Sequence, residues 1–128
     1  MEGGANCGLI VIARILDLYG VQYSPEEIVR LSSYDFQPLD MDRIRQVLEA
    51  KGLRVSSFKY RKRDLRDVSL PAIIHVHNES SAGHFLLAIS RQGNRVCVLD
   101  PPDTVRLCPA DEIGYRWSGY ALCVTQNR

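Results

Sequence analysis

Between Leu9 and Leu18 the chain is almost wholly apolar. Leu9, Ile10, Val11, Ile12, Ala13, Ile15, Leu16 and Leu18 are interrupted only by Arg14 and Asp17. A helix apolar nearly all round belongs at the centre of a fold, so this segment predicts a buried central helix around which the rest must pack. Asn6 is a good N-cap residue, which predicts a helix starting at Cys7, running to Tyr19 and stopping at Gly20. A cysteine in a first helical turn meets unsatisfied N–H groups and the positive end of the helix dipole. That environment favours thiolate over thiol and makes Cys7 a candidate nucleophile. A small thiol at a helix start can equally be packing alone. This stretch leaves both readings open.

A chain of 128 residues suits one domain, 1–128, with a real core. The formal net charge of +1 implies no bulk pull toward nucleic acid or a membrane surface. The apolar run is too short to cross a bilayer, and no basic region precedes it as in a signal peptide. The cysteines at 7, 97, 108 and 123 form no CxxC pair, which argues against a zinc ribbon. A core of this size needs no disulfide, so a reducing, cytoplasmic location is expected. Sequence leaves open oxidised pairs among Cys97, Cys108 and Cys123.

After the first helix, Ser24-Pro25-Glu26-Glu27 combines a Ser N-cap, Pro at the first helical position and Glu at the third, predicting a helix over Pro25–Leu31. Asp40 caps a third helix, Met41–Lys51, ended by Gly52. Its Met41, Ile44, Val47 and Leu48 keep the spacing of one buried face. Leu53–Phe58 reads as a short strand. The run from Lys59 to Arg66 carries five basic residues but is followed closely by acids, and reads as a solvated face. From Leu70 the pattern is β: strands at Ala72–Val76, His84–Ser90, Arg95–Asp100, Thr104–Leu107 and Gly119–Val124, with a short helix at Pro109–Gly114. Helices first and strands afterwards, joined by short connections, predict an α+β fold with an antiparallel sheet.

The candidate chemistry converges on one hairpin. With Arg91-Gln92-Gly93 as a three-residue loop and glycine in its left-handed position, Ser90 pairs with Asn94. Counting outward, His84 then lies directly opposite Asp100, and directly paired residues share a face. A two-residue loop at Gln92-Gly93 would break that pairing. An imidazole oriented by a carboxylate is two thirds of a nucleophilic triad, and Cys7 supplies the third member from a separate element. His75 and His77 alternate onto one strand face, as two metal ligands do. No third ligand is placed with them unless Cys97 or Cys108 is recruited, so they read as a polar strand face and no metal or cofactor is expected. Trp117 reads as packing.

These residues resemble a known family. Asn6-Cys7-Gly8 opening an apolar helix is followed by Leu70-Pro71-Ala72-Ile73-Ile74-His75-Val76, Gly83-His84-Phe85-Leu86-Leu87, Val98-Leu99-Asp100-Pro101 and Trp117-Ser118-Gly119. This order and spacing resemble the bacteriocin-processing double-glycine peptidases. Those are papain-like cysteine peptidases, usually the N-terminal domain of peptide-exporting ABC transporters, that cleave leader peptides after Gly-Gly. The resemblance implies a papain-like fold of N-terminal helices packed on a C-terminal antiparallel sheet. It implies Cys7 as nucleophile, His84 as general base and Asp100 as orienting acid. It further implies a leader-peptide substrate, a membrane transporter as partner, and a place at the cytoplasmic face of a membrane.

Two positions depart from the family pattern. Asn6 stands where an aspartate is usual. Met1 stands where the family has a glutamine that helps form the oxyanion hole. The expected oxyanion donors are then the Cys7 backbone N–H and Asn6, and a slow peptidase is expected. The chain's end soon after the last strand is expected to mark a free-standing member or an excised domain. Two alternatives share this constellation: a weakly active or inactive relative that binds an extended peptide, and an acyl-transfer enzyme using the same triad.

Overall fold

The computed structural model describes residues 3–33, 39–61, 64–77, 84–101 and 104–126, with backbone alone for residues 3–6. Three helices lead: α1 (Gly3–Leu18), α2 (Pro25–Ser32) and α3 (Met41–Ala50). The strands are β1 (Leu53–Lys59), β2 (Ala72–Val76), β3 (His84–Gln92), β4 (Arg95–Asp100), β5 (Thr104–Pro109) and β6 (Trp117–Gln126). Between β5 and β6 lies α4 (Ala110–Arg116). A single 3₁₀ turn at Leu65–Asp67, which sequence pattern did not predict, precedes β2.

The capping residues do what their chemistry predicts. The Ser24 hydroxyl accepts from the Glu27 N–H at 3.2 Å, and the Asp40 carboxylate accepts from the Arg43 N–H at 2.8 Å. Gly20 ends α1 with a φ of +68°, a conformation that favours glycine. The start of α1 differs from expectation. The helix begins at Gly3, so Asn6 lies within it instead of capping it, and Cys7 sits in its second turn. Glycine disfavours a helix interior by only about 1 kcal/mol, and extending an existing helix is far easier than nucleating one.

The six strands form one antiparallel sheet in the order β1-β6-β2-β3-β4-β5. One face carries Ile73, Phe85, Leu87, Leu99, Leu122 and Val124 against α1, α2 and α3. The opposite face carries Ile74, Leu86, Val96, Val98 and Ala121 against Leu65, Val68 and Ile113. Helix α1 is buried along one stripe, Cys7, Val11, Ile12, Ile15 and Leu16, and not all round. Leu18 is exposed, on a side of α1 that meets water. Among the described residues, no helix is long and apolar enough to cross a membrane.

Candidate active site

Cys7 comes to the site on α1, whose buried stripe fixes the helix against the sheet. The Cys7 side chain is itself only 2% exposed. Gly8 lets the next layer close in: a Cβ at that position would lie 2.9 Å from the Leu39 Cβ. Leu39, 3% exposed, therefore packs directly over the backbone beside the cysteine. A glycine inside an apolar helical run is the sequence signal for such a close approach.

His84 opens β3 and Asp100 closes β4, so both stand at the rim of the sheet. Their side chains are joined by a hydrogen bond of 2.7 Å between His84 Nε2 and Asp100 Oδ1. The other partner of the ring is the Cys7 sulfur, hydrogen-bonded to the same imidazole. With Nε2 held by Asp100, Nδ1 is left for the sulfur. Cys7, His84 and Asp100 thus come together from α1, β3 and β4. The hydrogen bond to Cys7 is the largest cause that raises the His84 pKa to about 8; burial, next in size, opposes it, and the hydrogen bond to Asp100 adds a smaller rise. The ring is therefore held toward its protonated form at neutral pH.

The hairpin that unites His84 and Asp100 differs from the expected three-residue loop. The turn is Gly93-Asn94, and Gln92 pairs with Arg95. Gly93 has a φ of +60°, and glycine at the first central position is what a type II′ turn requires. From Gln92 the ladder runs through Arg91↔Val96 and Ser90↔Cys97, then shifts to Ala88↔Val98 and Leu87↔Leu99. Ile89 and Ser90 together oppose Cys97, a β-bulge. Continued through Leu86 and Asp100, this register makes His84 a diagonal neighbour of Asp100 on one face, not its direct partner. Diagonal neighbours lie about 7–8 Å apart at the backbone, within reach of an imidazole and a carboxylate.

The remaining cysteines are placed differently. Among the described residues no disulfide joins the four. Burial pushes the Cys108 and Cys123 thiols up. The Asn6 side chain and Met1 lie outside the described residues. The α1 boundary bears on the oxyanion expectation, because α-helical pairing directs the Cys7 N–H toward the Gly3 carbonyl. His75 lies on β2 and His77 just after its last residue, with ring centroids 6.0 Å apart.

Comparison with known proteins agrees with this geometry. The peptidase C39 family model matches residues 2–128. The chain belongs to the peptidase C39 family. It is 25% identical over 119 residues to the lactococcin-G-processing and transport ATP-binding protein LagD of Lactococcus lactis subsp. lactis. That match takes in 91% of this chain but 17% of LagD. The peptidase domain of Streptococcus ComA, a bifunctional ABC transporter involved in quorum sensing, superposes with a TM-score of 0.82 at 23% identity, covering 99% of this chain and 96% of that one. A double-glycine-motif protease from an AMS/PCAT transporter, solved with its leader peptide, superposes at 0.84 with 18% identity, covering 99% and 89%. The expected α+β, papain-like peptidase fold and the resemblance to double-glycine leader peptidases are both borne out.

Proposed function

We propose that this C39 domain is a cysteine peptidase that cuts leader peptides after a Gly-Gly pair, with Cys7 as nucleophile, His84 as acid and base, and Asp100 as orienting carboxylate. The observation that carries the reading is the His84 ring, with the Cys7 sulfur as one hydrogen-bond partner and the Asp100 carboxylate as the other. The Cys7 thiolate attacks the scissile carbonyl carbon. His84 then gives its proton to the departing amine as the C–N bond breaks, leaving a thioester on Cys7. Water attacks the thioester, His84 takes the water's proton, and the C–S bond breaks to release a free carboxylate. Asp100 holds the Nε2–H tautomer and stabilises the imidazolium.

The oxyanion is met by the Cys7 N–H and the Asn6 amide. Helical pairing of that N–H, together with Met1 in place of the family's glutamine, makes this a weak oxyanion hole and turnover slow. The reading also takes a peptide-exporting ABC transporter as partner and the cytoplasmic face of a membrane as the working place, by likeness to LagD and ComA.

The test is incubation with a synthetic peptide ending its leader in Gly-Gly, followed by mass spectrometry of the products. A free acid at the second glycine, lost in Cys7→Ala, supports the reading. Saturable binding of the peptide without cleavage supports a peptide-binding relative. A new amide or ester supports acyl transfer, and either result overturns hydrolysis.

A further inference from the structure

The far end of β1 is both aromatic and basic, and the proposed reaction uses none of it. β1 is an outer strand of the sheet, with β6 on its inner side. Phe58 is 46% exposed, and Tyr120, which pairs with Lys59 across the ladder, is 48% exposed. Successive side chains of a strand point to opposite faces, so Phe58 stands on one face of this edge and the Lys59–Tyr120 pair on the other. The Phe58 ring leans on Tyr60, with centroids 5.7 Å apart, and Tyr60 leans on the buried Trp117 at 5.4 Å. The Lys59 ammonium lies 4.1 Å from the centre of the Tyr120 ring. Arg61, two residues on, is exposed. Neither Lys59 nor Arg61 forms an ion pair with another described residue, whereas Arg66 is tied to Asp64 at 2.8 Å.

We propose that this end of β1 docks on an anionic lipid bilayer, with Lys59 and Arg61 against the headgroup charges and the Phe58 and Tyr120 rings at the boundary between headgroups and acyl chains. Basic side chains are drawn to the negative surface potential of such a bilayer, and aromatic rings concentrate at its interface. Both kinds of side chain project from the same exposed edge, so a single surface has to answer both. An acidic peptide answers the charges and leaves the Phe58 ring in water. The stack of Phe58 on Tyr60 and Trp117 already orders the ring, which lowers the ordering cost of docking. A chain with a net charge of +1 has no long-range pull toward the bilayer, so the attraction is local and reaches about one Debye length, ~8 Å at physiological salt. The docking surface needs neither the triad nor a transporter and is independent of the peptidase reading.

The experiment sediments the chain with phosphatidylcholine vesicles, with and without phosphatidylserine, at low and at high salt. Binding is expected with phosphatidylserine alone, and it is expected to fall as salt rises. Lys59→Ala and Arg61→Ala are each expected to lower the partition coefficient about fivefold. Phe58→Ser, at an exposed position, is expected to lower it by about fivefold or more while leaving the salt dependence unchanged. Melting temperatures of the variants, expected to match that of the unmodified chain, show that the fold is intact. Absence of binding to phosphatidylserine vesicles, or equal binding to phosphatidylcholine alone, overturns the proposal. Loss of binding in the charge variants with none in Phe58→Ser or Tyr120→Ser also overturns it, and points instead to an acidic protein partner. No readout involves peptide turnover, so this proposal and the peptidase reading fail separately.

Discussion

His84 and Asp100 are diagonal neighbours across the β3–β4 ladder, joined at 2.7 Å between Nε2 and Oδ1. The bulge at Ile89-Ser90 reconciles the hairpin turn with this contact. Extended without a bulge, the register of the two-residue turn would pair Leu87 with Asp100 and put His84 on the other face. Leu87 and Leu99 are both buried in the helix-side core and must share a face. The ladder therefore absorbs one extra residue before reaching them, and His84 and Asp100 follow onto a common face.

Cys7 is expected to react with iodoacetamide faster than Cys97, although Cys97 is the more exposed of the two. The reason is the imidazolium partner, which Cys97 lacks among its strand neighbours Ser90 and Leu107. Cys108 and Cys123, whose thiols burial holds protonated, are expected to be slower still. Mass-spectrometric mapping at limiting reagent and neutral pH reads the order directly. Equal labelling at all four positions would count against a nucleophilic Cys7.

The His84 ring is expected to titrate near pH 8 by NMR. Cys7→Ala removes the largest cause of that rise and is expected to lower the midpoint more than Asp100→Asn does. The folded-state pKa is raised above 6.5, so the stability tied to it is fully present below pH 6.5 and is lost as pH rises through 8. At 1.36 kcal/mol per unit, the contribution is at most about 2 kcal/mol. Denaturant melts at pH 6 and pH 9 for the unmodified chain and Cys7→Ala measure it, with the pH difference smaller in the variant.

His84→Ala is expected to abolish peptide turnover, since both proton transfers run through that ring. Asp100→Asn is expected to cost less than Cys7→Ala, because orientation is a partial contribution where the nucleophile is an obligatory one. Comparison of kcat/KM on one leader peptide decides the order.

Gly8→Ala is expected to destabilise the fold by about 1–3 kcal/mol, the usual cost of forcing a methyl into a packed core. The new Cβ would lie 2.9 Å from the Leu39 Cβ, so the segment carrying Leu39 must shift. Urea unfolding of Gly8→Ala, with and without Leu39→Gly, which removes the Cβ concerned, provides the check. Partial recovery of the midpoint in the double variant, relative to the sum of the single changes, identifies this contact as the cause.

Met1→Gln, made behind a short added leader, is expected to raise turnover by up to about a hundred- to a thousandfold, the usual worth of one oxyanion donor. Cys7 labelling should stay unchanged. Turnover at tens per second by the unmodified chain would show that another donor already completes the hole.

Local chemistry made much of this protein legible in its sequence. Ser24 and Asp40 fixed two helix starts because a cap acts on N–H groups within its own turn. The strand at Ala72–Val76 was readable with its boundaries, and Cys7, His84 and Asp100 were named, from an apolar helix opening and a hairpin, before the fold brought them together. What depended on residues far apart in the chain was not readable. The cap assigned to Asn6 yielded to a helix extending back to Gly3, since extending a helix that already exists needs no new nucleus. The all-round burial expected of α1 failed because amphipathicity describes a segment, whereas the number of layers over it is a property of the whole fold. The same distinction governs the site. Sequence supplied His84, Asp100 and Cys7 as chemical types; the shared face of His84 and Asp100 was decided by packing Leu87 and Leu99 into one core, which demanded a bulge no local pattern encodes.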